Sequence, residues 1–155
     1  MIVLVPRPEL PKGYDTERIT LLFEQGHRLD YYADAKWSAR LDDLLQDFIV
    51  QMVRHVLRDR IAATTSTAAA ARYKLAVEIT DFQPVYGAAA DSPPRLDVAM
   101  TVTLVALPDE TAKAQFSLKK SAPASANTMT AVTKELELLL QSLIKEALQK
   151  IASSL

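Results

Sequence analysis

The chain has 155 residues, the size of one domain with a real hydrophobic core. Its 49% hydrophobic and 24% charged residues exclude a disordered chain, and 18 Lys plus Arg against 19 Asp plus Glu lack the basic excess of a nucleic-acid binder. With no cysteine, the sequence offers no disulfide, thiolate nucleophile or Cys-ligated metal.

In chain order, residues 2–5 are apolar and rich in β-branched side chains, and then Pro6, Pro8, Pro11 and Gly13 impose an irregular stretch. A strand that runs into prolines reads as an edge or first strand, and it lacks the basic start and long apolar run of a leader peptide. Apolar stretches everywhere are broken by charges well short of the ~20 residues that span a bilayer. Ile19, Leu21 and Phe23 alternate with Thr20, Leu22 and Glu24; after Gln25-Gly26-His27 the alternation resumes at Leu29, Tyr31 and Ala33. That pattern predicts a β-hairpin.

From Arg40 the period changes. Leu41, Leu44, Leu45, Phe48, Ile49, Met52, Val53 and Val56 recur at three- and four-residue steps, with Asp42, Asp43, Gln46, Asp47, Gln51, Arg54 and Arg58 on the other side. This is an amphipathic helix, with Ser38 as the expected N-cap and charges that suit its dipole at both ends. Residues 62–71 are rich in Ala and Thr without a period and read as a loop. Three alternating strands follow, carried by Leu75, Val77 and Ile79, then by Leu96, Val98, Met100, Val102 and Leu104, then by Ala114, Phe116 and Leu118. A second long helix starts near Asn127 or Thr128 with its stripe at Val132, Leu136, Leu139, Leu140, Leu143, Ala147, Leu148 and Ile151. The order predicts a single α+β domain over residues 1–155. It would hold one mixed, largely antiparallel sheet with two long amphipathic helices packed on one face.

Candidate chemistry is sparse. His27 falls in the hairpin turn and His55 near the end of the first helix, and neither has metal-ligand spacing. Asp42, Asp43 and Asp47 lie opposite the apolar stripe, where a solvated face is the expectation and a hydrolase built on them with His55 is the alternative. The three glycines are isolated and cradle no phosphate. The expectation is a protein without catalytic, cofactor or metal residues. Trp37, the only tryptophan, stands between hairpin and helix, either as a core plug or as a partner contact. Val50 sits beside Gln46, Asp47 and Arg54, and Leu138 beside Lys134, Gln141 and Lys145. These two apolar residues on wet sides join Trp37 as candidate partner-contact residues.

The ordered runs Tyr14-Asp15-Thr16-Glu17-Arg18-Ile19, Leu29-Asp30-Tyr31-Tyr32-Ala33-Asp34-Ala35-Lys36-Trp37, Leu41-Asp42-Asp43-Leu44-Leu45 and Leu75-Ala76-Val77-Glu78-Ile79-Thr80-Asp81-Phe82, with Phe116 and Asn127, resemble the ABC-type transport auxiliary lipoprotein components. The resemblance implies a non-catalytic periplasmic protein at the outer membrane that binds the MCE-domain substrate-binding subunit of a lipid transporter. It implies no cofactor and no catalytic residue. The family's acylated cysteine, which would supply the lipid anchor, has no counterpart in this sequence. A homo-oligomer, a direct lipid carrier with a cleft between sheet and helices, and an envelope scaffold of another system are the remaining alternatives.

Overall fold

The computed structural model describes residues 2–24, 28–58, 61–63, 71–89 and 91–155. Its elements in chain order are β1 (Ile2–Leu4), β2 (Arg18–Phe23), β3 (Arg28–Lys36), α1 (Leu41–Val56), β4 (Ile61–Ala63), β5 (Ala71–Tyr86), β6 (Arg95–Ala106), β7 (Thr111–Pro123) and α2 (Met129–Ala152). The result is α+β, one mixed sheet with two helices, as the periodicity predicts. Two sequence expectations change. Ile61–Ala63 is a strand and Ala71 opens the next one, so the expected loop over 62–71 is shortened at both ends; residues 64–70 lie outside the described residues, as does the hairpin turn at 25–27.

The 16 residues of β5 organise the sheet. Along one edge β5 pairs antiparallel with β6, which pairs antiparallel with β7. Its other edge is divided among three short partners. Near its start β1 pairs with it in parallel, through Val3↔Tyr73 and Leu4↔Lys74. In the middle Glu9 forms an isolated bridge, its N–H donating to the Val77 carbonyl at 2.9 Å and its carbonyl accepting from Ile79 N–H at 2.8 Å. Near its end β2 takes over in parallel at Leu22↔Val85 and Phe23↔Tyr86. The opening strand β1 is therefore interior, with β5 on one side and β4 on the other, and not an edge. Its neighbours supply partners for a three-residue strand whose continuation meets Pro6 and Pro8, two positions without an N–H.

A bulge between Ile79 and Asp81 separates the two halves of β5. An extra residue flips the side-chain alternation, so the core face passes from Leu75, Val77 and Ile79 to Phe82. The gap beside the bulge needs local repair. Phe82 N–H finds the Gln83 side-chain oxygen at 2.9 Å, and that oxygen also accepts from the Tyr14 hydroxyl at 2.8 Å. Pro84, which has no N–H, follows where the ladder with β2 is only beginning.

Both helices lie on the face that carries Leu75, Phe82, Val98, Met100 and Leu104, and their apolar stripes join these in one buried cluster. From α1 come Leu41, Leu45, Ile49 and Val53, and from α2 Val132, Leu136, Leu140, Leu143, Ala147 and Ile151. Each fully buried aliphatic side chain contributes about 1.5–3 kcal/mol relative to exposure, and this cluster is what holds helices to sheet. The Thr128 hydroxyl caps α2 by accepting from Ala131 N–H at 3.2 Å.

The opposite face of the sheet is polar. There Asp97, 7% exposed, takes both arms of the Arg95 guanidinium at 2.9 and 3.0 Å and the Ser121 hydroxyl at 2.7 Å. Burial alone pushes this carboxyl up, but the hydrogen bonds from Arg95 and Ser121 outweigh it and hold the group below the usual carboxylate range. The segment before β2 closes over this face. Gly13, with φ of 91°, passes close enough that an added Cβ would lie 3.0 Å from the Tyr31 hydroxyl, which donates to the Gly13 carbonyl.

Two measurements check this account. Leu136→Ala, at 0% exposure, should cost about 3 kcal/mol in urea unfolding, whereas Leu138→Ala two residues away, at 53% exposure, should stay within about 0.5 kcal/mol. Asp97→Asn should cost about 2 kcal/mol near neutral pH. Because the folded carboxyl is held below its unfolded value of ~3.9, this contribution is present above that pH and fades below it. Unfolding curves should show the two proteins converging in acid.

Candidate partner-binding groove

The hairpin leads into α1 through a start that owes little to local capping. Arg40 occupies the N-cap position without a side-chain cap, and the expected cap Ser38 lies outside it. The segment before β2 replaces the cap: the Thr16 carbonyl accepts from Leu41 N–H at 2.9 Å, and the Glu17 carbonyl accepts from Trp37 N–H at 2.7 Å. Arg40 reaches Asp42 at 3.2 Å and Asp15 at 3.6 Å, and its hydrogen bond lowers the Asp42 pKa. Backbone bonds on both sides thus fix where Trp37 sits.

Trp37 is half-buried, its ring 6.0 Å from that of Phe82 at an interplanar angle of 31°. It lines a cavity of about 260 Å³ where α1, α2 and β5 meet, with Leu44, Leu45 and Phe48 from α1, Phe82 from β5, and Leu140 from α2. Only Ser38 and Glu137 bring polar side chains to it. The indole Nε1 is buried and has no hydrogen-bond partner among the described residues, a donor whose desolvation costs about 1–3 kcal/mol. The groove can hold apolar groups, with one carboxylate at its margin. Among the described residues no hydrogen bond pairs its Ser38 with a base.

The other two candidate contact residues lie elsewhere. Val50, expected on the wet side of the first helix, is buried at 7% exposure. The reason lies one turn earlier, where Gln46 Nε2 donates to the Val5 carbonyl at 3.0 Å. That flank of α1 faces the chain leaving β1, so the buried arc is wider than the stripe implied. Leu138 is exposed at 53% and borders a separate shallow cavity of about 230 Å³ with Leu96, Pro123 and Leu139.

The acidic residues of α1 do not converge on a reaction centre. Asp43 pairs with Arg7 and Asp42 with Arg40, while Asp47 and His55 are exposed. His27 lies outside the described residues. Among the described residues no group of three or more His, Cys, Asp or Glu is placed to hold a metal. A cavity of about 420 Å³ lies on the polar face between Arg7, Glu9, Lys74, Glu78 and Thr103. Its two cations are already engaged, Arg7 by Asp43 and Lys74 by Glu110 at 2.9 Å.

Sequence reading misses a tyrosine chain that ties the hairpin to α2. The hydroxyls of Tyr32 and Tyr86 are 2.6 Å apart, and Tyr86 donates to Asn127 Oδ1 at 3.0 Å, which leaves Tyr32 as the donor to Tyr86. Burial, and then the bond to Tyr86, push the Tyr32 hydroxyl pKa up. No spacing in the sequence links residues 32, 86 and 127; only the tyrosines themselves hint at it.

The chain is thus an α+β domain with a mixed sheet, two helices on one face and an apolar groove where the helices meet. Its sequence matches the ABC-type transport auxiliary lipoprotein component family over residues 1–147, and the chain belongs to that family. This is a transport-associated family of auxiliary proteins and not a family of enzymes. The fold is similar to that of protein XCC0632 from Xanthomonas campestris, with 22% identity, a TM-score of 0.79, and coverage of 99% of this chain and 86% of that one. A solved structure of an uncharacterized protein is similar over 97% of this chain and 91% of its own at 13% identity, with a TM-score of 0.82. PelC from Paraburkholderia phytofirmans, solved as a dodecamer, is more distant: 14% identity, a TM-score of 0.53, and coverage of 93% and 82%. No curated protein matches the chain.

Two substitutions at position 37 should differ in cost. Trp37→Phe removes the unpaired donor while keeping most of the ring, so its cost should stay below about 1 kcal/mol. Trp37→Ala should cost about 2–3 kcal/mol by emptying the contact with Phe82. Thermal unfolding of both variants checks this.

Proposed function

We propose that the chain is a non-catalytic periplasmic component of an ABC-type lipid transport system of the MCE kind, where it binds the MCE-domain subunit and positions it near the outer membrane. Membership in the auxiliary lipoprotein family supports the transport role. The observation that carries the binding role is the groove at Trp37, where Leu44 and Phe48 remain half-buried on a helix whose remaining stripe is committed to the core. Apolar side chains at such a margin complete their burial against a partner. A homo-oligomer is compatible with this role, since the similar fold of PelC assembles as a dodecamer.

A lipid carrier is less well supported. At about 260 Å³ the apolar groove is smaller than the ~300–1,000 Å³ of typical small-molecule sites, and the larger cavity is lined by charged and hydroxyl groups. Tagged protein incubated with solubilised envelope membranes should enrich the MCE-domain subunit over an unrelated tagged control. Trp37→Ala should reduce that enrichment. Recovery equal to the control would overturn the proposed role.

A further inference from the structure

The strand β7 forms one outer edge of the sheet. Among the described residues it pairs with β6 alone, so the backbone groups along its other side have no partner in the chain. Natural edges are kept short or broken, because a bare row of N–H and C=O groups invites another strand. Here only the start is broken, by a register shift opposite Leu104 and Val105 that leaves Lys113 out of the ladder. From Ala114 to Pro123 the register is continuous, over a stretch longer than the ~5–6 residues of a usual strand.

The side chains on this edge are half-covered. On the helix face Phe116 and Leu118 are half-buried, whereas their β6 partners Val102 and Met100 are buried. Beside the end of β7, Leu138 stands 53% exposed at the cavity of about 230 Å³ that Ala122 and Leu139 also line. A strand added about 4.8 Å beyond β7 would lay its own side chains against these apolar groups.

The charge here has one sign. Over Thr111–Pro123 the strand carries three lysines and no Asp or Glu. Lys113 and Lys119 are exposed without an ion pair, and Lys120 donates to the Ser142 hydroxyl. Carboxylates of the adjoining elements are already engaged. Asp97 is held by Arg95 and Ser121, Glu110 by Lys74, Glu135 by Ser125 N–H and Glu146 by Lys150. Exposed Lys134 and Lys145 on α2 add to the same positive field. By contrast β3, the edge on the hairpin side, mixes Arg28 and Lys36 with Asp30 and Asp34. A second copy of the chain paired at β7 would bring the same lysines to the seam from both sides, which disfavours self-pairing.

We propose that β7 takes an extended, acidic segment of a partner protein as an added strand. Apolar residues at every second position lie beside Phe116, Leu118 and Leu138, and the aspartates or glutamates between them meet Lys113 and Lys119. Main-chain hydrogen bonds hold the segment, and its alternation selects it. This surface lies on another flank of α2 from the Trp37 groove and is independent of what binds there.

The probes are short peptides that alternate valine with glutamate or valine with lysine, and a scrambled peptide of the Val/Glu composition. Amide hydrogen exchange of the full chain, read residue by residue by NMR, locates the binding. The Val/Glu peptide should slow exchange in β7 and bind at least about tenfold more tightly than the other two. The double variant Lys113→Glu, Lys119→Glu should reverse the preference between glutamate and lysine peptides, with exchange in β5 and α2 unchanged. Leu138→Ala should weaken Val/Glu binding several-fold. N-methylation of the valines alone, or of the glutamates alone, strips the N–H groups from one edge of the peptide. One of these two peptides should lose binding, a result that needs no variant of the chain.

Equal binding of the Val/Glu and Val/Lys peptides, protection confined to elements other than β7, or binding untouched by either N-methylation would overturn the inference. So would self-association of the free chain that protects β7, since a second copy would then occupy the edge.

Discussion

One strand edge has to satisfy three unconnected pieces of chain. Through β5, the backbone donors and acceptors of residues 73–86 meet β1, then Glu9, then β2 along one side, while β6 runs along the other. An edge divided in this way leaves a gap, and the gap falls where the bulge flips the side chains between Ile79 and Phe82. Gln83 is buried there at 2% exposure because its side chain replaces the missing ladder partner of Phe82. A buried amide so placed is stable only when its oxygen is fully used, and Tyr14 completes it. The segment carrying Tyr14 is thereby tied to the sheet, and everything between Gly13 and α1 follows from that attachment.

The groove is a consequence of the same constraint. Phe82 reaches the helix face because of the bulge; with unbroken alternation its side chain would point to the polar face. Trp37 reaches it because Glu17 and Thr16 hold the start of α1 by their carbonyls. At the far end of the hairpin the Tyr32, Tyr86 and Asn127 chain links β3 to the start of α2. Hairpin, central strand and both helices are thus bound together around one apolar concavity. For the proposed docking role this matters, since a groove whose walls are held from several sides loses little conformational entropy when a partner docks.

The polar face has a different logic. Three of its cations are paired within the chain: Arg95 with Asp97, Lys74 with Glu110, Arg7 with Asp43. Most of these pairs are exposed and contribute little to stability, but the Asp97 cluster, nearly buried and hydrogen-bonded on both oxygens, contributes more. Among the three candidate contact residues only Trp37 lines the groove. Val50 belongs to the core, and Leu138 borders a separate shallow cavity on another flank of α2.

Elements whose burial follows a simple period are legible in the sequence. Leu45, Ile49 and Val53 in one helix and Leu136, Leu140 and Leu143 in the other could only face a core, and Leu96 through Leu104 could only be a half-buried strand. The α+β class, the absence of a recognisable catalytic motif and the family resemblance were legible at this level too. Packing sets the features where periodicity is broken or where partners are distant. The bulge extends β5 through Phe82 to Tyr86 with its faces exchanged, a change that alternation counted from Leu75 cannot show. Val50 is buried because Gln46, one turn away, is drawn to the Val5 carbonyl 41 residues back in the chain. The cap of α1 comes from Thr16 and not from Ser38, since a backbone carbonyl held nearby by the sheet satisfies the same orphan N–H. The groove at Trp37 gathers residues from 37 to 140, and no local rule connects positions that only packing brings together.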